Sequence, residues 1–115
     1  MKLGEKQELF MRLLPRLLDR AHELGYNVRG GELERRPEMA KLYAEQGKGT
    51  LNSLHILRLA IDLHLFKNGE YLTASEAHES LGQYWKSLHP LCRWGGDFKP
   101  KPDGNHYSIE HEGRK

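Results

Sequence analysis

The stretch "SLHILRLAIDLHLF", residues 53 to 66, limits the fold more than any other part of the chain. Its odd positions Leu57, Leu59, Ile61, Leu63 and Leu65 are all apolar. Successive side chains leave a β-strand on opposite faces, so this alternation predicts a strand with one face against the core. Asp62 and His64 then share the other face. A carboxylate and an imidazole side by side on a strand are candidates for chemistry.

The remaining elements follow from spacing and punctuation. Leu9, Phe10, Leu13, Leu14, Leu17, Leu18, Ala21 and Leu24 recur at helical intervals, which predicts a helix over residues 5 to 24 with Gly25 as its stop. Pro15 should kink or restart that helix. "GYNVRGGE" reads as a short strand, and Pro37 opens a second helix over 37 to 46. "KNGE" carries the Asn-Gly signal of a tight hairpin, with "EYL" as the return strand. Thr73 and Glu76 have capping-box spacing, opening a third helix over about 75 to 88 with Leu81, Tyr84, Trp85 and Leu88 on its buried side. "RWGGDFKPKPDGN" reads as a loop and "HYSIEH" as a last strand. The expected fold is α+β: one small antiparallel sheet flanked by helices, a single domain over residues 1–115.

Composition removes several function classes. The 37% hydrophobic and 30% charged content is that of a soluble globular chain. No apolar run reaches the roughly 20 residues that span a bilayer, and "MKLGEKQELF" has no signal-peptide core. A net charge of +2 is no nucleic-acid footprint. The lone Cys92 excludes an internal disulfide and a cysteine zinc ribbon, and it reads as a small core hydrophobe. Seven histidines are the compositional oddity. A metal site here must use imidazole and carboxylate.

His55, Asp62 and His106 are the candidate ligands, since a catalytic zinc takes three protein ligands and keeps one position open. His55 and Asp62 lie seven positions apart and would face opposite ways on one straight strand. A shared ion therefore requires His55 in the loop or turn before the strand. His106 would come from the last strand. Asp103, three positions before it, could serve as a general base and acid. Arg35 and Arg36 are candidates for holding an oxyanion.

"SLHILRLAID" resembles the Ser-x-His-x-x-Gly-x-Ala-x-Asp signature of the zinc D-Ala-D-Ala carboxypeptidase and L-alanyl-D-glutamate endopeptidase family, the VanY-like members of the Hedgehog/DD-peptidase fold. "WGGDFKPKPDGNHYS" looks like that family's C-terminal element, and "ERRPEMAKLYAEQGKG" resembles its upstream Arg-Thr-Pro-Glu-Gln segment. The match runs from about residue 24 to 113 and is nearest to short phage endolysins. The resemblance implies Zn2+ held by His55, Asp62 and His106, with Asp103 as acid and base. It also implies Arg35 as the substrate-contacting arginine and Ser53 as a supporting hydrogen bond. The family glycine is Arg58 here, its threonine is Arg36 and its glutamine is Met39. Arg58 should narrow or recharge the cleft.

The competing assignments are specific. His64 shares the face of Asp62 and is the substitute ligand, with a pocket-lining or surface role as the plainer reading. His22, His78 and His89 read as surface or capping residues, and His111 as exposed. Trp94 either walls the cleft and contacts substrate or packs in the core. The expected activity is hydrolysis of peptidoglycan stem peptides by a monomer, without membrane insertion or nucleic acid. L-Ala–D-Glu is the first candidate bond and D-Ala-D-Ala the second. Synthesis in a host cytoplasm and holin-type release to the wall follow from the endolysin likeness. The alternative of another class is a non-catalytic, metal-stabilised wall-binding or virion module.

Overall fold

The central strand is β2, Ala60–Lys67, and three of the other strands pair with it directly. Leu59, Ala60, Ile61, Leu63 and Leu65 are buried, while Asp62, His64 and Phe66 are half-buried. The strand starts at Ala60, so Leu57 belongs to the preceding turn, contrary to the alternation read from the sequence. The structure is a computed structural model that describes residues 1–31, 33, 42, 45 and 54–115. The expected second helix at 37 to 46, with Arg35, Arg36, Met39 and Ser53, lies outside the described residues.

β1, Asn27–Gly30, pairs antiparallel along one edge of β2, with Arg29 opposite His64. The other edge is shared end to end. β5, His106–Ile109, pairs with Ala60 to Asp62, and β3, Glu70–Leu72, pairs with Leu65 to Lys67. Asn68 (φ 53°) and Gly69 (φ 78°) are both left-handed, which is the backbone a two-residue hairpin requires. β4, Cys92–Trp94, completes the sheet beside β5. The sequence reading placed Arg93 and Trp94 in a loop; a strand that short shows no periodicity.

Helix α1, Leu3–Glu23, buries Phe10, Leu13, Leu14, Leu17 and Ala21 on one side. Pro15 lies on its exposed side and the helix continues through it, so no restart occurs. It ends as expected at Gly25 (φ 89°), where the N–H groups of Gly25 and Tyr26 donate to the carbonyls of His22 and Ala21. The third predicted helix differs at its start. Ser75–His78 is a 3-10 turn without a side-chain cap, and α2 proper is Glu79–Leu88. The Thr73 box does not form there.

Both helices cover the sheet face carrying Ile61 and Tyr107. Trp85 of α2 meets Phe10 and Tyr107 edge-on at 5.7 and 6.3 Å, and its indole N–H donates to the Ser108 carbonyl at 3.1 Å. Burying such rings contributes about 25 cal/mol for each Å² of apolar surface removed from water. Since neighbouring side chains alternate, His106 and Ser108 project from the opposite face, with Asp62 and His64. Among the described residues, the helices build the core on one side of the sheet, while Asp62, His64 and His106 lie on the other.

Candidate metal centre

Three separate local structures deliver three side chains to one point on that face. His55 comes from a helical turn before β2. Within it the N–H groups of Leu57 and Leu59 both donate to the Leu54 carbonyl, and Arg58 N–H donates to the carbonyl of His55. Leu54 is fully buried and anchors the turn. Arg58 adopts a left-handed φ of 56°, which redirects the chain into β2. Asp62 then lies on the strand, and His106 is its direct cross-strand partner on β5.

His55 Nε2 lies 3.4 Å from Asp62 Oδ1, and His106 Nδ1 lies 3.7 Å from the same oxygen. The three ligand atoms fall within 4.8 Å of one another. These distances exceed those of good hydrogen bonds. A tetrahedral zinc with bonds of about 2.1 Å separates its ligand atoms by roughly 3.4 Å. The two separations to Asp62 Oδ1 are close to that spacing, so the three residues could hold one ion. The chemistry of the set agrees: two imidazole nitrogens and one carboxylate oxygen suit zinc. His55 and His106 are 2% and 7% exposed, whereas the Asp62 side chain is 24% exposed, so the centre opens on the Asp62 side. Asp62 Oδ1 is buried without a hydrogen-bond partner among the described residues, as an atom reserved for a cation should be. Burial pushes the Asp62 carboxyl up, but the His106 and His55 side chains outweigh it and hold the group well below the usual carboxylate range.

Asp103 is exposed and sits in the turn that starts β5. Its carbonyl accepts the His106 N–H at 3.1 Å, and its own N–H donates to the Gly95 carbonyl at 2.8 Å. The adjacent Gly104 is held from two sides. Its N–H donates to Ser75 Oγ at 3.0 Å, and its carbonyl accepts from the Trp94 indole at 2.7 Å. Trp94 is only 3% exposed. It braces the turn bearing Asp103 and His106 and offers little surface to a substrate. Ser75, Gly95 and Gly104 were not singled out from the sequence, because their importance depends on contacts between distant loops.

The other histidines divide clearly. His64 Nδ1 shares a 2.9 Å hydrogen bond with the Tyr71 hydroxyl, away from the three-residue centre. His78 is 2% exposed and hydrogen-bonded to the Tyr107 hydroxyl at 2.7 Å, which corrects its reading as a surface residue. His111 is half-buried, with Nδ1 3.1 Å from Lys6 Nζ, rather than exposed. His22 is exposed, and His89 Nδ1 accepts from Leu91 N–H in a turn. Cys92 is buried, and burial pushes its thiol up to about 12, which disfavours the thiolate form. Arg58 is exposed on its turn. Phe98 packs its ring 5.4 Å from that of His106.

A family model described as D-alanyl-D-alanine carboxypeptidase matches residues 46–109. Among solved structures, the fold is similar to the Serratia marcescens L-Ala D-Glu endopeptidase ChiX, with a TM-score of 0.68. That match covers 84% of this chain and 77% of the other at 19% identity, which establishes likeness of fold. No curated protein matches the chain significantly.

Proposed function

We propose, because the chain belongs to the D-alanyl-D-alanine carboxypeptidase family, that it is a zinc peptidase cutting an amide bond of bacterial peptidoglycan stem peptides. The observation that carries the zinc assignment is the meeting of His55 Nε2, His106 Nδ1 and Asp62 Oδ1 at ligand-to-ligand distances. Bound there, zinc supplies Lewis acidity, acidifying water and polarising the scissile carbonyl.

The chain's own residues do the rest. His55, Asp62 and His106 would hold the ion. Asp103, fixed by backbone hydrogen bonds to Gly95 and His106, takes the proton of the attacking water and returns it to the leaving amine. Arg35 steadies the oxyanion and Ser53 supports the ligand turn, as the family resemblance implies. The fold shared with an L-Ala D-Glu endopeptidase supports the L-Ala–D-Glu bond as substrate, and the family description keeps D-Ala-D-Ala as the second candidate. The endolysin likeness supports a lytic role, with release from a host cytoplasm to the wall.

Digestion of purified peptidoglycan by the zinc-loaded protein tests this reading, with and without chelator and beside Asp103→Asn. Loss of the general base should cost roughly 10²–10⁴ in rate. Fragment masses identify the bond. Lysis that persists with chelator and in the variant would sink the proposal. Binding without cleavage would favour the non-catalytic wall module instead.

A further inference from the structure

The face that bears the three-residue cluster continues along β2 as a strip of rings, two half-buried and one exposed. Asp62, His64 and Phe66 alternate outward on it. Arg29 is the cross-strand partner of His64, and Tyr71 is the partner of Phe66. The Arg29 guanidinium lies 4.0 Å from the centre of the Phe66 ring. Tyr71 stacks on Phe66 with ring centroids 5.0 Å apart and planes 19° from parallel. The His64–Tyr71 hydrogen bond fixes the tyrosine ring in place. Tyr71 is nonetheless 47% exposed, one of the few large apolar side chains left to solvent.

We propose that Arg29, His64, Phe66 and Tyr71 form a sugar-binding strip that receives the N-acetylmuramyl ring of the substrate. This inference rests on the peptidoglycan peptidase reading and specifies which bond reaches the metal. A pyranose presents a flat face of C–H groups that stacks on an aromatic ring, and Arg29 offers donors to its oxygens. Exposed Arg29 and Tyr71, held against half-buried His64 and Phe66, make a prepared surface, so little ordering cost remains on binding. The strip is also continuous with the metal centre on one strand face.

Distance selects the bond. At about 3.3 Å per strand residue, His64 stands roughly 7 Å and Phe66 roughly 13 Å beyond Asp62. An extended stem covers at most about 3.6 Å per residue. The carbonyl of the first stem residue is separated from the sugar by that residue and the lactyl group, two lengths or roughly 7 Å. The sugar ring then starts over His64, whose Nδ1 is hydrogen-bonded to the Tyr71 hydroxyl. The carbonyl of the terminal D-Ala-D-Ala amide is up to five such lengths away, roughly 18 Å, so a fully extended stem would carry the sugar past Tyr71. The strip fits cleavage between L-Ala and D-Glu.

The test compares muramyl dipeptide with the same dipeptide lacking the sugar. Affinities are measured by NMR titration of the zinc-loaded full chain, carrying Asp103→Asn to prevent turnover. The sugar-bearing ligand should bind roughly fivefold to tenfold tighter. Tyr71→Ala should abolish that preference, whereas Tyr71→Phe, which keeps the ring but not the hydroxyl, should retain most of it. Equal affinities in the parent, or a preference that survives Tyr71→Ala, overturns the strip. Wall fragments cut only at the terminal D-Ala amide overturn its register. A parent protein that prefers the sugar yet cleaves no wall peptide refutes the peptidase reading while supporting the strip.

Discussion

Asp62 and His106 face each other directly across the β2–β5 pair, with Oδ1 and Nδ1 3.7 Å apart, while Ile61 and Tyr107 are paired beside them on the core face. One register thus sets both the metal centre and the core beneath it. A slip of one residue would turn Asp62 and His106 onto opposite faces of the sheet.

Because the fold brings His55, Asp62 and His106 within 4.8 Å of one another, a zinc ion held by them should bind the native state and stabilise it. At a zinc concentration 100 times Kd the gain is about 2.7 kcal/mol. For a chain of this size that raises Tm by roughly 10 °C. Chelator should reverse the increase. Asp62→Asn, similar in shape but uncharged, should leave Tm insensitive to both zinc and chelator. Calorimetric scans check this, and a zinc-induced rise of the same size in the variant contradicts the ligand assignment.

Gly95 tests how the ligand turn is held. A Cβ there would collide with the Asp103 carbonyl and stand 2.8 Å from His106 Cβ. Gly95→Ala should destabilise the fold by about 1–3 kcal/mol and weaken zinc binding roughly tenfold to a hundredfold. Gly4→Ala, in the first turn of α1 with nothing within 4 Å of the new Cβ, is the control and should be neutral or stabilising. Denaturant titration and a competing zinc dye separate the two effects.

The legible parts of this molecule are those specified locally. Alternation around Asp62 assigned the central strand and its polar face, and Asn68-Gly69 gave the hairpin. Gly25 ended α1. Long-range contacts hid the remainder. Thr73 looked like a cap, yet the adjacent Ser75 hydroxyl accepts from Gly104 in another loop. Cys92–Trp94 is too short for a pattern and is a strand because β5 lies beside it. His78 looked peripheral on its helix, because the Tyr107 that buries and bonds it lies far along the chain.

Arg58 occupies a left-handed position (φ 56°) where the family signature has glycine. That conformation costs a non-glycine residue about 1–2 kcal/mol. Glycine relieves the strain but adds about 0.5–1 kcal/mol of chain entropy to the unfolded state. Arg58→Gly and Arg58→Val both remove the arginine's own contacts, so their difference reports the backbone, and Gly should be the more stable of the two by about 1–2 kcal/mol. Arg58→Val, β-branched and poorly suited to positive φ, should lose stability. If Val were tolerated as well as Gly in equilibrium unfolding, the backbone explanation of the signature glycine would be wrong.

His78 should control the acid limb of stability. Burial first, and the nearby His64 second, lower its pKa from 6.5 to about 4. The unfolded chain takes up a proton near pH 6.5, whereas the folded protein resists it until about pH 4. Stability from His78 is thus complete above pH 6.5 and is lost as pH falls through that window, by on the order of 3 kcal/mol at about 1.4 kcal/mol per pH unit. Asp62, also held low, adds a loss that begins only below its ordinary 3.8. His78→Gln keeps a hydrogen-bonding group for Tyr107 but has no proton to gain. Its stability should be nearly flat between pH 6.5 and 4 while the parent declines. Urea titrations in chelator, which removes proton competition at the metal ligands, measure the difference, and parallel curves for the two proteins would assign the acid limb to another group.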